Sequence, residues 1–508
     1  MAFMTLLSRI LGLGRDIVSA QRYGTSWQWD AFIYAFTLPM FFRRLVGEGA
    51  LSSAFIPVYS EVLTTRGREE AFRFANIIAT LVTAGLLVFC GVTGLLLNLA
   101  LGIEGLSPRL HLTIDLLRYF FPYLAFMSLY AHAMGVLNCH KHFLTPALGP
   151  LILDIAWIAG VLWVCPRVAG GTLNELSALA WVILFSGLLQ FAVEIPPLLK
   201  LGYRPRWVWD SMDAGVRKTW NLLLPSIMGF AIVQINILVD MTLGFLIGPG
   251  ANSSLWYGTR LMQFPLGVFT IALGTALLPT ISQHAARKEM EQAKQAISFS
   301  LRSLFLIILP CSIGLIVLRT PIVQMLFERG EFDAVSTARS ASVLMYFSIG
   351  LFAFSGQKIL AAGFYSVQDT KTPVKVGVFA LISNIIFNLI LMQFMAESGL
   401  ALSTSISGIL QFALLAVIFD RRVSNFPFRK IAISFLKILA ASVFMGAAAW
   451  YLHQYLLTLL PGVTAAARAL QVFGAISGAA VIYIVLCLIF RVEEMREAWR
   501  FALNRRKK

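Results

Sequence analysis

The sequence predicts an all-α polytopic membrane protein of about 14 transmembrane helices, with two six-helix lobes in a parallel pseudo-repeat plus two extra C-terminal helices. Two observations predict this class. Of the 508 residues, 58% are hydrophobic and 13% are charged, and the mean hydropathy of +0.77 exceeds that of soluble domains. Apolar runs of about 20 residues, the length that crosses a bilayer, recur from the N-terminus to about Phe490.

The apolar runs place the helices in order. The predicted ranges are 1–23, 28–62, 74–102, 112–138, 144–165, 176–200, 217–247, 253–283, 295–318, 335–363, 372–396, 398–420, 430–457 and 466–490. The first run lacks a small-residue cleavage site, so we interpret it as a helix and not as a removable signal peptide. The second run is too long for one straight span and contains Pro39, Gly47, Gly49 and Pro57, which predicts a broken helix.

Basic residues are concentrated in alternate gaps between the predicted helices. The even-numbered gaps and the tail hold most of them, including Arg66, Arg68, Arg73, Lys200, Arg204, Arg206, Arg421, Arg422, Arg429, Lys430 and the run 505–508. The odd-numbered gaps hold Arg109, Arg167, Arg319, Arg329 and Arg468. The positive-inside rule therefore predicts that both termini are cytoplasmic. The net charge of +16 follows largely from this topology, so no nucleic-acid partner is expected.

Four landmarks of the first half recur in the second half at offsets of 222 to 228 residues. They are Tyr119-Phe120 with Tyr346-Phe347, Gly135 with Gly363, Thr145-Pro146 with Thr372-Pro373, and Pro57 with Pro279. This period contains six helices, an even number, so both copies have the same orientation. We predict an N-lobe at 1–205, a C-lobe at 206–425, and helices 13 and 14 with a basic cytoplasmic tail at 426–508. Two facing bundles would enclose the central cavity that alternating access requires.

Charged residues inside the apolar spans indicate what that cavity would hold. They are Arg9, Arg15, Asp16, Arg22, Asp30, Arg43, Arg44, Glu48 and Arg260. An arginine at mid-bilayer costs about 2.5–3.5 kcal/mol on insertion scales, so these residues should face one another or water. The spacing suggests pairs of Arg9 with Asp16 and of Arg44 with Glu48. The remaining excess of arginine predicts an anionic substrate, and the planar guanidinium suits phosphate. The alternative is that arginines at helix ends, such as Arg22 and Arg43, extend to the interface.

The second half offers a candidate cation site. Asp240 lies well inside helix 7, and Asn384 and Asn388 share a face of helix 11. With the hydroxyl of Thr404 they form a plausible cage for Na+, or a proton site if Asp240 acts alone. The alternative is a structural hydrogen-bonding role for Asp240.

Motifs of enzymes and ATPases are missing from the sequence. It contains no phosphate-binding G-x-x-x-x-G-K-[ST] loop and no H-E-x-x-H, and its five cysteines are scattered. A membrane-embedded enzyme acting on polyprenyl phosphates remains the alternative of a different class, and it would require a catalytic acid or metal site at a loop. We therefore expect a transporter and not an enzyme.

Several motifs resemble those of a known family, the MurJ/MviN lipid II flippases of the multidrug/oligosaccharidyl-lipid/polysaccharide exporter superfamily. In the first half these motifs are residues 8–16, Asp30-Ala31-Phe32, Leu38-Pro39, Arg43-Arg44 and Glu48-Gly49-Ala50. In the second half they are residues 260–265, Leu278-Pro279, and residues 363–366 with 369–373. Two departures are Thr37, where we expect a basic residue, and Gln263, where an acidic one is common.

The resemblance implies a flippase of the bacterial cytoplasmic (inner) membrane that moves lipid II, an undecaprenyl-pyrophosphate-linked peptidoglycan precursor, to the outer leaflet. It also implies a lipid-binding groove beside helices 13 and 14, and a required set of Arg9, Arg15, Arg44 and Arg260 with Asp30. We expect no cofactor other than Na+ or H+ as coupling ion, and a monomer whose partners are lipid II and membrane lipids. An alternative substrate is another polyprenyl-linked oligosaccharide.

Overall fold

A computed structural model describes residues 2–44, 52–267, 289–423, 426–462 and 464–496. Within these ranges every regular element is helical and there is no strand, which confirms the predicted all-α class. The helices are α1 (Ala2–Tyr23), α2 (Trp27–Phe42), α3 (Ser52–Thr65), α4 (Arg68–Leu101), α5 (Pro108–Cys139), α6 (Gly149–Ala159), α7 (Thr172–Lys200), α8 (Ala214–Ile247), α9 (Ala251–Pro265), α10 (Met290–Val317), α11 (Arg319–Phe327), α12 (Ala334–Ile349), α13 (Leu351–Ser366), α14 (Lys371–Val423), α15 (Phe428–Leu459) and α16 (Ala465–Ile489).

Most predicted boundaries lie within about four residues of the observed ones; the largest described differences are six residues, at the start of α4 and at the end of α6. Helix α4 begins at Arg68, six residues before the predicted start at 74. Glu69 and Glu70 lie in its first turn, where negative charge stabilises the N-terminus of a helix. The short helix α11 was not predicted from the sequence.

The long predicted second helix is described in two parts, α2, which contains Pro39, and α3, which contains Pro57. Glu48 and the glycines between them lie outside the described residues, so the break there stays a prediction. The predicted helix 335–363 is interrupted at Gly350, between α12 and α13. A Cβ at Gly350 would lie 2.7 Å from the Ser405 hydroxyl oxygen, so α14 passes too close for any other residue.

The predicted division between helices 11 and 12 is confirmed inside α14. Ala396 has a non-helical conformation, with φ 49° and ψ −132°, which breaks the helix at that residue. Nine helical segments of the described chain are long and apolar enough to span a membrane, or ten if the two bent halves of α8 form one span. The chain is therefore a multi-pass membrane protein, whereas the number fourteen stays a prediction.

The chain divides into two compact units, Met1–Ser253 and Ser254–Lys508. The first unit contains a buried aromatic cluster in which Trp157 meets Trp29, Phe32 and Phe36 edge to face, at ring-centre distances of 5.1–6.3 Å. The second contains a comparable cluster in which Phe305 contacts Phe412 and Phe435. The predicted lobe boundaries at 205/206 and 425/426 describe the repeat and stay predictions.

Candidate functional site

Arg15 lies buried between two carboxylates in the first unit. Its Nε and Nη2 donate to Oδ1 of Asp16 at 3.2 and 3.1 Å, and its Nη1 donates to Oδ1 of Asp154 on α6 at 3.0 Å. All three side chains are at least 90% buried. The structure therefore places Arg15 in an ion cluster that joins α1 to α6.

The aromatic cluster forms one wall of this ion cluster. The guanidinium carbon of Arg15 lies 4.7 Å from the ring centre of Trp157, within the range of a cation–π contact. The indole nitrogen of Trp157 donates to the hydroxyl of Ser19 on α1 at 3.0 Å. These contacts fix the orientation of the guanidinium between α1 and α6.

Arg9 lies on the same helix two turns before Asp16. It is half-buried and makes no hydrogen bond or ion pair with any described residue. The pairing of Arg9 with Asp16 that the spacing suggested is therefore not formed, because the adjacent Arg15 binds that carboxylate.

Two arginines, Arg43 and Arg44, follow directly after α2. Arg43 is half-buried at the C-terminal cap, where its Nη1 lies 3.4 Å from the sulfur of Met40. Arg44 follows it and is exposed. The suggested partner of Arg44, Glu48, lies outside the described residues.

Asp30 is fully buried and caps α9, a helix that begins 221 residues later in the chain. Its two oxygens accept from the backbone N–H of Gly250 at 2.5 Å, from the N–H of Ser253 at 2.7 Å, and from the hydroxyl of Ser253 at 2.5 Å. These donors belong to the start of α9, where backbone N–H groups have no partner in the helix. Asp30 thus holds the turn between α8 and α9 against α2.

Arg109 completes this contact from the start of α5. Its Nη2 donates to Asp30 at 3.1 Å, and its Nη1 donates to the carbonyl oxygen of Phe245 in the last turn of α8 at 2.6 Å. Asp30 and Arg109 together bind both ends of the α8–α9 turn. We name this set of residues the Asp30 clamp: Asp30, Arg109, Gly250 and Ser253. Arg109 falls in a predicted gap between helices, and nothing in the sequence connects it with a residue 79 positions away.

Arg22 forms a bidentate pair that the sequence did not predict. Its Nε and Nη2 donate to the two carboxylate oxygens of Glu175 on α7 at 2.9 and 2.8 Å. Arg22 stands in the last turn of α1, where positive charge stabilises the helix end. Its position agrees with the alternative reading of Arg22 as an arginine at a helix end.

The predicted residues of the second half lie in two different units. Arg260 is half-buried on α9 in the second unit, with its guanidinium 5.8 Å from the ring centre of Trp256. Asp240 is half-buried on α8 in the first unit.

Three residues of the predicted cation site do come together. The amide of Asn384 donates to the hydroxyl oxygen of Thr404 at 3.2 Å, and the amide of Asn388 donates to the side-chain oxygen of Asn384 at 2.9 Å. Both asparagines are fully buried. The hydrogen-bonded chain crosses between the two parts of α14 and presents amide and hydroxyl oxygens, which are ligands suited to a hard cation.

No cluster of His, Cys, Asp and Glu suited to a transition metal occurs in the part of the chain that the structure describes. The five cysteines are all free.

Comparison with known proteins gives a consistent result. A family model described as "Lipid II flippase MurJ" matches residues 19–468. A relative from Haemophilus influenzae, named "Probable lipid II flippase MurJ", is 36% identical over 469 residues, which cover 88% of this chain and 90% of the relative. A Burkholderia cenocepacia relative, "Lipid II flippase MurJ", is 33% identical over 420 residues, 81% of each chain.

Solved structures are similar over most of the chain. One titled "Lipid II flippase MurJ, inward closed conformation" has a TM-score of 0.78 at 26% identity and covers 98% of this chain and 99% of its own. An inward-facing multidrug resistance MATE family transporter of the MOP superfamily has a TM-score of 0.66 at 13% identity, over 82% of this chain and 94% of its own. The second likeness concerns the fold alone.

Proposed function

The chain belongs to the MurJ family of lipid II flippases, and from that premise we propose that it transports lipid II across the bacterial inner membrane. It is a transporter and not an enzyme. The family model covers residues 19–468, and the relatives match over most of their own length. This extent of similarity is the observation that carries the proposal, because it includes Arg43 and Arg44 after α2 and Arg260 on α9.

The direction of transport is from the cytoplasmic to the outer leaflet, by alternating access. The headgroup carries a pyrophosphate and sugars, and arginine can bind phosphate oxygens through two parallel hydrogen bonds. Arg9, with no partner among the described residues, and the exposed Arg44 support a role in capturing this group. Arg43 and Arg260 are half-buried and complete the proposed set, to which Glu48 belongs by sequence alone.

Arg15 and Asp30 have a different part in the proposal. Both are buried and bound by other groups of the protein, so they hold in place α1, which carries Arg9, and α2, which Arg43 and Arg44 follow. Removal of Arg15 would leave Asp16 and Asp154 buried without that cation, a change that costs about 3–5 kcal/mol for buried pairs. The variant Arg15→Ala therefore tests stability as well as transport.

Both termini lie in the cytoplasm in this proposal. The basic segments at 66–73, 200–206 and 421–430 and the basic tail support this orientation by the positive-inside rule. The protein acts as a monomer, because one chain supplies both six-helix repeats. It requires no nucleic acid.

The coupling ion is Na+ or H+. The chain of Asn388, Asn384 and Thr404 supports a cation site, to which Asp240 would add a negative charge. Inward movement of a cation would return the empty carrier to the state that accepts substrate.

Reconstitution in proteoliposomes with labelled lipid II tests the proposal. We expect Arg44→Ala and Arg260→Ala to lower the flipping rate about 10- to 100-fold, because one charge-assisted hydrogen bond contributes about 1.5–3 kcal/mol. The matched control is Arg118→Ala, since Arg118 is exposed and pairs with Asp115 on its own helix. Wild-type rates in both Arg44→Ala and Arg260→Ala would refute the phosphate-binding role, and a covalently altered lipid would indicate an enzyme.

A further inference from the structure

A cavity of about 600 Å³ lies in the second unit, between the junction of α10 with α11 and the later part of α15. Its polar lining consists of Arg319, Thr320, Gln324, His453 and Gln454, and residues 316–318 form an apolar wall. The volume falls within the range typical of small-molecule sites. None of these residues is among the named residues of the predicted substrate and cation sites, although α15 corresponds to predicted helix 13, beside which the resemblance implies a lipid-binding groove.

The packing of α15 against α10 explains why the cavity opens there. A Cβ at Gly446 would lie 2.5 Å from Cγ2 of Ile313, so the two helices touch closely at this point. Helix α10 ends four residues later at Val317, and the chain turns into α11. The continuing turns of α15 therefore lose their neighbour and leave a space beside Trp450 and His453.

The charge of this space is positive. Among the described residues that line it, Arg319 is the only Lys, Arg, Asp or Glu. Its Nη1 donates to the carbonyl oxygen of Ile316 at 2.7 Å, and no carboxylate among the described residues pairs with it. Glu328, at the other end of α11, is bound by Arg468 at 3.0 Å and by the Thr337 hydroxyl at 2.8 Å. A ligand of the cavity should accordingly carry negative charge.

The cavity lies at the depth of a membrane interface. Trp450 follows Lys430 by 20 residues along α15, a distance of about 30 Å at 1.5 Å per residue, which equals the thickness of the hydrocarbon core. Trp450 and Tyr451 are 47% and 68% exposed, as aromatic residues of an interfacial belt are. With the termini in the cytoplasm, as proposed above, this interface belongs to the outer leaflet.

We propose that the cavity binds the headgroup of an anionic bilayer phospholipid such as phosphatidylglycerol. Arg319 contacts the phosphate in this proposal. The Thr320 hydroxyl and the amides of Gln324 and Gln454, which also line the cavity, bind the glycerol hydroxyls. The acyl chains lie along the apolar surface of α15. A lining without carboxylates offers no partner to an ammonium group, so phosphatidylethanolamine fits less well. The headgroup of lipid II, a disaccharide with a pentapeptide, is too large for this space.

Native mass spectrometry of the purified, delipidated full-length protein tests this proposal. We expect phosphatidylglycerol to bind the wild type at least about tenfold more tightly than phosphatidylethanolamine does, and Arg319→Gln to weaken that binding about tenfold. The matched control is Arg329→Gln, which removes an arginine that lies outside the cavity and donates only to the carbonyls of Met325 and Leu326 among described residues. This control should bind as the wild type does.

A second variant keeps the charge and fills the space. Ala447 lines the cavity and is exposed, so Ala447→Phe should be accommodated and should weaken phosphatidylglycerol binding about tenfold as well. Equal loss in Arg329→Gln, equal binding of both phospholipids, or full binding by Ala447→Phe would each refute the proposal. Displacement of the phospholipid by undecaprenyl pyrophosphate would assign the cavity to the transported substrate instead. The measurement needs no flipping, so its failure is distinguishable from failure of the proposed function.

Discussion

The buried charges of the first unit are paired between helices that are distant in sequence. Arg15 on α1 binds Asp154 on α6, and Asp30 on α2 binds Arg109 on α5. Such pairs contribute little net stability compared with apolar side chains, but the loss of one partner leaves a charge in a medium that solvates it poorly. Single substitutions at these residues should therefore have large effects.

Asp30→Ala should destabilise the α8–α9 turn. The substitution removes the acceptor of two backbone N–H groups and leaves Arg109 without its carboxylate, so we expect a loss of about 3–5 kcal/mol. Hydrogen exchange measures this locally, and the amides of Gly250 and Ser253 should exchange at least about 100-fold faster. The control Asp115→Ala removes an exposed pair and should cost less than about 1 kcal/mol. Unchanged exchange at Gly250 would contradict the clamp.

Asp369 should make stability depend on pH. Its carboxylate accepts from the N–H and hydroxyl of Thr372 at 3.0 and 2.6 Å and pairs with Arg422 at 2.6 Å. The hydrogen bonds from Thr372, followed by the charge of Arg422, lower the pKa of Asp369 below its ordinary value of 3.8. Because the pKa of Asp369 is lower in the folded than in the unfolded state, the ionised carboxylate stabilises the fold at any pH above the unfolded-state pKa. This contribution disappears as the pH falls through the folded-state pKa.

The measurement is the melting temperature of Asp369→Asn against the wild type. The variant should melt lower by a constant amount between about pH 8 and pH 5, and the difference should shrink below about pH 4. In a Thr372→Val background, the difference in melting temperature that Asp369→Asn causes at neutral pH should be smaller, because the carboxylate has lost the hydrogen bond from the Thr372 hydroxyl. A difference that grows toward low pH would show that the sign is wrong.

The interruptions of the helices occur where the backbone or a neighbouring helix requires them. Helix α14 breaks at Ala396, and α12 ends at Gly350 where Ser405 approaches. Such breaks are tolerated inside a membrane when protein groups satisfy the freed backbone atoms. At Gly350 the Ser405 hydroxyl accepts from the backbone N–H and donates to the Tyr346 carbonyl.

Ala396→Gly should stabilise α14. A non-glycine residue at positive φ costs of order 1–3 kcal/mol, and glycine removes most of that strain. We expect a higher melting temperature for this variant, equivalent to about 1 kcal/mol. Ala401→Gly is the matched control, since Ala401 is fully buried in a helical part of α14 and its replacement should lower the melting temperature. Equal effects of the two substitutions would argue against strain at Ala396.

Transport by the whole molecule should depend on the membrane potential. Lipid II carries about two negative charges on its pyrophosphate, and moving them out of a negative interior releases roughly 4–5 kcal/mol per 100 mV. This energy removes the need for ATP, in agreement with a sequence that lacks an ATPase loop. In proteoliposomes, collapse of an imposed potential of about 100 mV should lower the flipping rate severalfold. An undiminished rate would contradict this energetic account.

The sequence by itself determined the fold class, the helix order and the arginine content of the spans. Hydropathy and helical periodicity depend on neighbouring residues, and these are known from the sequence. For this reason the structure agrees with the predicted helices 1–23 and 466–490 and with the predicted division near Ala396. The family also followed from local motifs, such as residues 8–16 and Arg43-Arg44.

Only the tertiary structure decided the partners of those charges. The spacing suggested Arg9 for Asp16, but the adjacent Arg15 binds this carboxylate and Asp154 as well. The partners Arg109 for Asp30 and Glu175 for Arg22 come from helices 79 and 153 residues away. Coulombic and hydrogen-bonding energies depend on distance in space, and a helical sequence pattern gives distances only within one helix. Which arginine is available to a phosphate is therefore set by packing.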